Sequence, residues 1–268
     1  MWLHGKPDNT IRKYTIWVER FLESVDYKPL HLVTLEELQN WQSSLERYSP
    51  NTQRNALASI KSLFTFGHEL GVLPFNVARI VKPPKAKDTL GERILTEVQV
   101  QKMIAMEPNP RNEAILRLLY YGCLRVSELV SLSWKDLSER GDEGIITIFG
   151  KGGITRVMEL PAPVWKLLCQ LRQGAVGDAP VFRSRKHSHD GRLDPSRVNR
   201  IVRDAAVRAG IGKNVSPHWF RHSHASHSLD RGCPPHLVRD GLGHKSLSTT
   251  SRYLKARPKD SSSRYLPV

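Results

Sequence analysis

The residue types best suited to chemistry gather near the end of this chain, in residues 216–255. His218 and Arg221 stand three residues apart, so on a helix their side chains leave the same face. An arginine offers a fixed fork of donors to a phosphate or another oxyanion, and a histidine can accept or give a proton near neutral pH. Tyr253 follows His244 by nine residues, and its hydroxyl is a candidate nucleophile if such a cluster activates it. The stretch predicts an anion-binding site with a tyrosine beside it.

The charge of the chain indicates a polyanionic partner. The 268 residues carry a formal net charge of +15, and the pI is near 10.0. Residues 93–268 hold 29 basic against 16 acidic side chains, whereas residues 1–84 hold 10 against 8. Such an excess is typical of nucleic-acid-binding proteins, and a basic, solvated surface is the alternative.

The cysteines and the lack of long apolar runs indicate the cellular compartment in which the protein works. Cys123, Cys169 and Cys233 stand at no metal-like spacing, which favours buried thiols in a reducing compartment. The N-terminus has no signal-like apolar run, and no stretch is long enough to span a membrane. We therefore expect a cytoplasmic protein without a membrane partner.

Zinc is an alternative use of the histidines His222, His224 and His227. The run lacks the glutamate of the H-E-x-x-H motif, however, and Cys233 has no partner cysteine nearby. We expect no metal and no other cofactor. These histidines are expected to pack or to form hydrogen bonds on a helix, with His222 near the site.

The elements that must position these residues begin with a helical N-terminal part, residues 1–84. Asp8 or Asn9 is expected to cap a first helix that ends near Ser24. A capping box at Thr34 opens a second over residues 35–47, and a third runs from Pro50 past Phe66 to a stop at Gly71. The pattern predicts a small helical domain.

A linker follows, at residues 85–92. Just before it, the adjacent prolines at positions 83 and 84 cannot continue a helix. Three lysines lie around these prolines, Lys82, Lys85 and Lys87. An extended basic linker could lie along a DNA backbone, and ordinary solvated linkers have the same composition.

The remaining residues, 93–268, predict more helices and a small β-hairpin or three-stranded sheet. Helices are expected from a capping box at Thr96 to Met106, over residues 112–121, from near Val126, and over residues 163–172 and 197–209. Residues 145–149 and 156–160 predict two strands joined by the glycine-rich turn 150–153. The fold class is therefore mainly α (α+β), with a small antiparallel sheet in the C-terminal part.

With the run G-C-L-R-V-S-E-L at residues 122–129, the chain resembles the Xer-like tyrosine recombinases of the phage integrase family. The family's motifs occur in order: Arg125 in that run, Lys151 in Gly-Lys-Gly, His218 and Arg221 in H-x-x-R, His244 in L-G-H, and Tyr253. Each motif alone is weak, but the ordered set is specific. The N-terminal helices and basic linker resemble the family's core-binding domain in pattern only.

The resemblance implies cleavage of a phosphodiester by the Tyr253 hydroxyl, which leaves a 3′-phosphotyrosine. Negative charge then builds on the non-bridging oxygens, where Arg125 and Arg221 can hold it with bidentate bonds. The resemblance further implies that Lys151 protonates the departing 5′ oxygen and His218 assists the tyrosine as base. It also implies that His244 bonds a phosphate oxygen. Glu128 would orient Arg125 or a neighbouring histidine.

Each residue taken alone also has a simpler interpretation. Arg125 and Glu128 could form an ion pair on a helix surface, and Lys151 could be a solvated turn tip. Tyr253 alone would more often be a core aromatic, and Tyr265 is a rival nucleophile without a histidine nine residues upstream. Lys245 could add a DNA contact or crowd the site.

The predicted function is site-specific recombination by a cytoplasmic, nucleoid-associated enzyme. Its partner would be double-stranded DNA with inverted half-sites, bound by a homotetramer in which the helical domain and the catalytic domain both contact the duplex. A type IB topoisomerase-like enzyme that only relaxes DNA is one alternative. A DNA-binding protein without catalysis is the other. The target site and any accessory proteins are not predicted.

Overall fold

The computed structural model describes residues 1–85, 89–150, 155–184, 190–212, 214–244 and 246–256. The chain divides into two compact units, Met1–Asp88 and Thr89–Val268. Both are built mainly from helices, and a small sheet lies in the second unit. The mainly α fold class with a small antiparallel sheet is confirmed. No helix in the described ranges is both long enough and apolar enough to cross a bilayer.

The described residues of the first unit form the α-helices α1 (Asp8–Ser24), α2 (Leu35–Ser44) and α3 (Pro50–Glu69). Their apolar faces meet in a core where Phe21 packs edge-on against Trp41 and Phe64, at centroid distances of 5.3 and 6.1 Å. The capping box at Thr34 is confirmed, and α2 gives way to a short 3₁₀ turn over Leu45–Arg47. The prediction of a side-chain cap at Asp8 or Asn9 is wrong, because α1 begins after Pro7 without a capping side chain.

The segment after α3 returns across the first unit. Val81 is buried in its core, and the Lys61 ammonium donates to the Val81 carbonyl at 2.9 Å. The Gln42 amide donates to the Lys82 carbonyl at 3.0 Å. The start of the predicted basic stretch is therefore anchored to the helices by its backbone, which leaves the side chains of Lys82 and Lys85 exposed.

The second unit surrounds α5 (Pro110–Tyr120), whose apolar side chains are buried on several faces. Its other helices are α4 (Glu97–Ala105), α6 (Val126–Ser131), α7 (Ala162–Arg172), α8 (Pro195–Arg208), α9 (Pro217–Asp230), α10 (Pro235–Leu242) and α11 (Leu247–Ala256). The capping box at Thr96 is confirmed. Of the cysteines predicted to be buried, only Cys123 is; Cys169 is exposed because it faces out from α7, and Cys233 is partly exposed.

The sheet has three antiparallel strands in the order β1 (Leu137–Arg140), β2 (Glu143–Phe149) and β3 (Thr155–Leu160). Pairing of Phe149 with Thr155 confirms the hairpin, whereas residues 151–154 of its turn lie outside the described residues. Ile146 and Ile148 of β2 are buried in the core. On β3 the buried positions are Arg156 and Leu160, so one inward place is occupied by a cation.

Candidate active site

Elements far apart in sequence meet around the carbonyl at the end of α10. They are the start of α6, strand β3, helix α9, the loop after α10, and α11. They bring together most of the residues singled out in the sequence, namely Arg125, Glu128, His218, Arg221, His244 and Tyr253. Only Lys151 of the predicted catalytic set lies outside the described residues.

The two predicted arginines converge on a single oxygen atom. Arg221 on α9 is buried; its Nη2 donates to the Leu242 carbonyl and its Nη1 to the Cys123 carbonyl at 2.5 Å. Arg125, at the start of α6, donates from its Nη2 to the same Leu242 oxygen at 3.2 Å. About a third of the Arg125 side chain is exposed, so its guanidinium can be reached from outside. Two guanidinium groups are therefore already placed to share one acceptor.

The end of α10 explains why the Leu242 oxygen is free to accept them. Gly243 has a φ of +57° and donates to the Asp240 carbonyl, while the His244 amide donates to the Arg239 carbonyl. This pattern closes a helix in a left-handed turn and leaves the Leu242 carbonyl without a helical partner. Glycine suits the position because a side chain is strained at this φ. The L-G-H motif thus supplies an acceptor, a turn and then a histidine.

A buried carboxylate ties Arg125 to a third arginine. Glu128 accepts from Arg125 Nη1 at 2.7 Å and from the Arg125 amide at 2.7 Å. It also accepts from Arg156 Nη1 at 2.9 Å and Nη2 at 2.7 Å. We call Arg125, Glu128 and Arg156 the Arg–Glu–Arg triad. Glu128 is only 6% exposed, so its bond to Arg125 is not a surface ion pair.

The triad keeps Glu128 ionised. Burial opposes its charge, but the hydrogen bonds from Arg156 and from the Arg125 amide outweigh burial and lower the pKa of Glu128 to about 2. Sequence analysis missed Arg156. Its signal was the alternation of β3, which places Arg156 on the same face as the buried Leu160.

Histidine side chains line the same region in neutral form. His244 Nδ1 lies 3.1 Å from the Thr250 hydroxyl of α11. Burial, together with the charges of Arg221 and Arg125, lowers the pKa of His244 to about 4. The His218 side chain is exposed at the surface of the site, and partial loss of hydration together with the charges of Arg221 and Arg125 lowers its pKa as well. No residue in the described ranges is hydrogen-bonded to the His218 imidazole.

Tyr253 lies on α11 with its ring buried and its hydroxyl against a histidine. The Tyr253 hydroxyl is 2.8 Å from Nδ1 of His222, one helical turn after His218 on α9. Burial raises the pKa of Tyr253 to about 12, although Arg221 opposes the rise. Burial and neighbouring positive charge lower the pKa of His222 to about 4. The tyrosine is therefore the donor and the imidazole the acceptor. The predicted position of His222 near the site is confirmed.

The other histidines of α9 have separate partners. His227 Nδ1 lies 2.8 Å from the buried Tyr120 hydroxyl, and His224 is paired with the Cys123 thiol. Within the described ranges, no group of three or more His, Cys, Asp or Glu side chains is placed to hold a metal ion.

The predicted DNA-contacting lysines divide between the two units. Lys82 and Lys85 are exposed in the first unit, whereas Lys87 and Lys245 lie outside the described residues. The rival nucleophile Tyr265 also lies outside them.

Comparison with known proteins matches both units to families. Residues 93–260 match the phage integrase family, and residues 1–69 match the N-terminal SAM-like domain of phage integrases. The chain is 34% identical to tyrosine recombinase XerA of Pyrococcus furiosus over 261 residues, which covers 96% of this chain and 87% of the relative.

Two solved structures show the same fold. The XerH site-specific recombinase bound to palindromic difH substrate, in a post-cleavage complex, aligns with a TM-score of 0.79 at 21% identity, over 91% of this chain and 76% of that one. A lambda integrase tetramer bound to a Holliday junction aligns with a TM-score of 0.77 at 16% identity, over 96% and 75% of the two chains.

Proposed function

The chain belongs to the phage integrase family of site-specific tyrosine recombinases, enzymes that break and rejoin DNA. We propose that it breaks and rejoins DNA strands with Tyr253 as the nucleophile. The observation that carries this assignment is the convergence of Arg125 and Arg221 on the Leu242 oxygen. A non-bridging phosphate oxygen is also an acceptor, and because it shares the negative charge of the phosphodiester it would bind both guanidiniums more strongly than a neutral carbonyl does.

The chemistry follows from where charge develops. The Tyr253 oxygen attacks the scissile phosphorus, a bond from phosphorus to the tyrosine forms, and the bond to the 5′ oxygen breaks. Arg125 and Arg221 stabilise the charge on the non-bridging oxygens, and His244 donates to one of them. The resemblance assigns protonation of the 5′ oxygen to Lys151 and help for the tyrosine to His218. The 3′-phosphotyrosine keeps the bond energy, so a 5′ hydroxyl can reverse the step without ATP.

The Arg–Glu–Arg triad gives this site its charge and its order. The guanidiniums of Arg125 and Arg156 share one ionised carboxylate, and that of Arg221 lies on the Leu242 oxygen beside Arg125, which leaves a surplus of positive charge for an anion. Because Glu128 fixes one face of Arg125, the guanidinium loses little freedom when phosphate binds. Stabilisation built in before the substrate arrives costs no rearrangement during the reaction.

The proposed partner is double-stranded DNA with inverted half-sites, bound by a homotetramer. Supporting this are the net charge of +15, the palindromic substrate of the XerH complex and the tetramer formed by lambda integrase. We assign DNA binding to the helical domain 1–84, a connecting role to residues 85–92 and catalysis to residues 93–268. Lys82, Lys85, Lys87 and Lys245 are proposed backbone contacts, and such contacts weaken as salt rises.

A nicked substrate tests the nucleophile. Inverted repeats flanking the gene supply candidate sites, and a nick beside the scissile phosphate lets the cleaved 5′ fragment diffuse away, so the covalent adduct accumulates. We expect an adduct that survives denaturant and forms in chelator without ATP. Tyr253→Phe should abolish it and keep DNA affinity, whereas Tyr265→Phe should leave it intact.

The same preparation separates the alternatives. Relaxation of a supercoiled plasmid without exchange between two cognate sites would favour the topoisomerase-like enzyme. Specific binding to a cognate site with no adduct on its nicked form would favour the DNA-binding protein without catalysis. An adduct that persists in Tyr253→Phe and disappears in Tyr265→Phe would move the nucleophile to Tyr265.

A further inference from the structure

The hydroxyl of Tyr253 has one described hydrogen-bond partner, and it is a histidine that is not among the motif residues named from the sequence. His222 follows Arg221 directly, and its Nδ1 lies 2.8 Å from the Tyr253 oxygen. The two rings are 5.7 Å apart between centroids, tilted by 44°. His218, to which the resemblance gives the role of base, lies 6.4 Å from the His222 ring, centroid to centroid. The histidine in direct contact with the reacting oxygen is therefore His222.

We propose that His222 is a further catalytic residue, which takes the proton of the Tyr253 hydroxyl as that oxygen attacks the phosphorus. This inference rests on the proposed function, since it needs Tyr253 as nucleophile. The Tyr253 oxygen–phosphorus bond forms while the phosphorus–5′ oxygen bond breaks. The tyrosine proton moves to Nδ1 of His222, and the 5′ oxygen gains a proton from the general acid. In the resealing step His222 returns its proton to the departing tyrosine oxygen.

The surroundings of His222 keep it ready to accept. The groups that face it are His218 and Arg221 on its own helix, Arg93 before α4 and Arg252 on α11. Burial and these positive or titratable neighbours disfavour a second proton on the imidazole, so Nδ1 carries a lone pair. With Nδ1 as acceptor, the remaining ring proton sits on Nε2.

The same surroundings hold the proton on the tyrosine until DNA arrives. The pKa of Tyr253 is raised to about 12 and that of His222 lowered to about 4, so no transfer occurs in the free chain. A bound phosphate adds negative charge near the imidazole, which stabilises imidazolium, and bond formation to phosphorus acidifies the tyrosine. Transfer thus belongs to the attack itself, as general base catalysis requires. The geometry ties activation of the nucleophile to substrate binding.

The test is single-turnover adduct formation on a nicked substrate across pH. His222→Asn keeps an acceptor at the Nδ1 position but cannot take up a proton. We expect the adduct rate at pH 7 to fall about 100-fold, with DNA affinity within twofold of the wild type. The residual rate should rise about tenfold per pH unit from 7 to 9, since it then depends on hydroxide, while the wild-type rate stays flat. His236→Asn, an exposed histidine on α10, is the matched control.

A second substrate separates the two proton transfers. Sulfur in place of the bridging 5′ oxygen leaves without a proton, so it should restore the rate of Lys151→Ala but not that of His222→Asn. If the sulfur substrate restored the adduct rate of His222→Asn, the proposal would be overturned, because His222 would then act by protonating the leaving 5′ oxygen. If His222→Asn does not fold, His222→Gln takes its place in both measurements.

The remaining outcomes are distinct. A wild-type rate, or a reduced rate with an unchanged pH profile, in His222→Asn would reduce His222 to a support for the tyrosine and overturn the proposal alone. In His218→Asn, measured in parallel, the rate of adduct formation should not rise with hydroxide concentration between pH 7 and 9. An adduct that persists in Tyr253→Phe would overturn both the proposed function and this inference, because His222 would then contact no reacting atom.

Discussion

The two halves of the site are held together by different kinds of bond. In the half that would bind phosphate, the side-chain bonds involve charged groups: the Arg221 guanidinium bonds two backbone carbonyls, and the Arg–Glu–Arg triad shares one carboxylate. In the half that carries the nucleophile, the bonds are neutral, between Tyr253 and His222 and between His244 and Thr250. Charge-assisted bonds are roughly twice as strong as neutral ones. We therefore expect the first half to keep its geometry without DNA and the second to adjust.

This difference suits the reaction. The guanidiniums must already be in place when charge develops, because rearranging them during the reaction would add to the barrier. The nucleophile must instead move to attack phosphorus, transfer its proton to His222 and later be released. Weak neutral bonds on α11 allow that movement at little cost. Substitutions in the phosphate-binding half should therefore lower both cleavage and stability, whereas those in the nucleophile half should lower cleavage alone.

Arg221→Lys should give the largest effect. Lysine keeps the charge but has no planar fork, so it cannot serve the Leu242 and Cys123 carbonyls together and cannot grip phosphate with two donors. Adduct formation should fall by roughly 10³-fold. The unsatisfied buried carbonyl should cost about 1–3 kcal/mol of unfolding free energy. Single-turnover kinetics measure the rate of adduct formation, and denaturant-induced unfolding measures the free energy of unfolding.

Arg231→Lys is the matched control, since Arg231 forms an exposed pair with Glu97 at the end of the same helix. It should change neither quantity appreciably. DNA affinity is the discriminating measurement. A fall in affinity that matches the fall in cleavage would make Arg221 a docking contact and would remove the contrast between the two halves.

Glu128→Gln should give an intermediate effect that depends on pH. The pKa of Glu128 is about 2 in the folded chain, below the ordinary value of 4.5. A lowered pKa means that the carboxylate stabilises the fold above about pH 4.5, and that this stability disappears as pH falls toward 2. Removing the charge leaves two guanidiniums facing each other, so we expect a loss of about 3 kcal/mol at pH 7. Adduct formation should fall about tenfold to 100-fold as Arg125 loses its support.

Glu113→Gln provides the comparison, because Glu113 pairs with Arg117 at the (i, i+4) spacing on the partly exposed face of α5. Its cost should be about 0.5 kcal/mol. The difference in stability between wild type and Glu128→Gln should narrow as the pH is lowered from 6 to 3. A constant difference over that range would show that Glu128 is not the ionised centre of the triad.

The sequence predicted the side-chain chemistry better than the supports behind it. Arg125, Arg221 and His244 stand in motifs with fixed spacing, and the structure brings them together. Arg156 escaped because an inward position on a strand is expected to be apolar, and its partner Glu128 lies far from it in sequence. The role of the Leu242 carbonyl was not predicted for a different reason. Every residue has a backbone carbonyl, so the residue type does not indicate which carbonyl will accept these bonds.

The fold shows the same division. Helices with capping boxes, such as α2 and α4, begin where Thr34 and Thr96 predict. The sequence left a third strand open but did not locate β1, because β1 is four residues long and three of them are exposed, so it has no period-two apolar pattern. Strand β1 forms because it pairs with β2, and the residues of β1 alone do not indicate that pairing. Local signals were thus sufficient for helices, whereas contacts between distant segments were needed for the strand and for Arg156.

Gly243→Ala should give the smallest effect and tests the junction between the halves. The φ of +57° at Gly243 strains any residue with a Cβ, at about 1 kcal/mol. An added Cβ would lie 3.5 Å from Arg156 Nη1 and 3.7 Å from Arg125 Nη1, which is ordinary contact, so the strain falls on the backbone. Because the same turn directs both the Leu242 carbonyl and His244, adduct formation should fall a fewfold.

Gly210→Ala separates these two consequences. Gly210 also has a positive φ, +70°, after α8, and no backbone atom lies within 4 Å of an added Cβ there. It should cost the same stability, about 1 kcal/mol, and leave adduct formation unchanged. If both alanine variants lower the melting temperature equally and neither slows cleavage, the turn serves the fold alone. A slower Gly243→Ala at matched stability would mean that the left-handed turn at Gly243 aligns the phosphate-binding half with the half that carries the nucleophile.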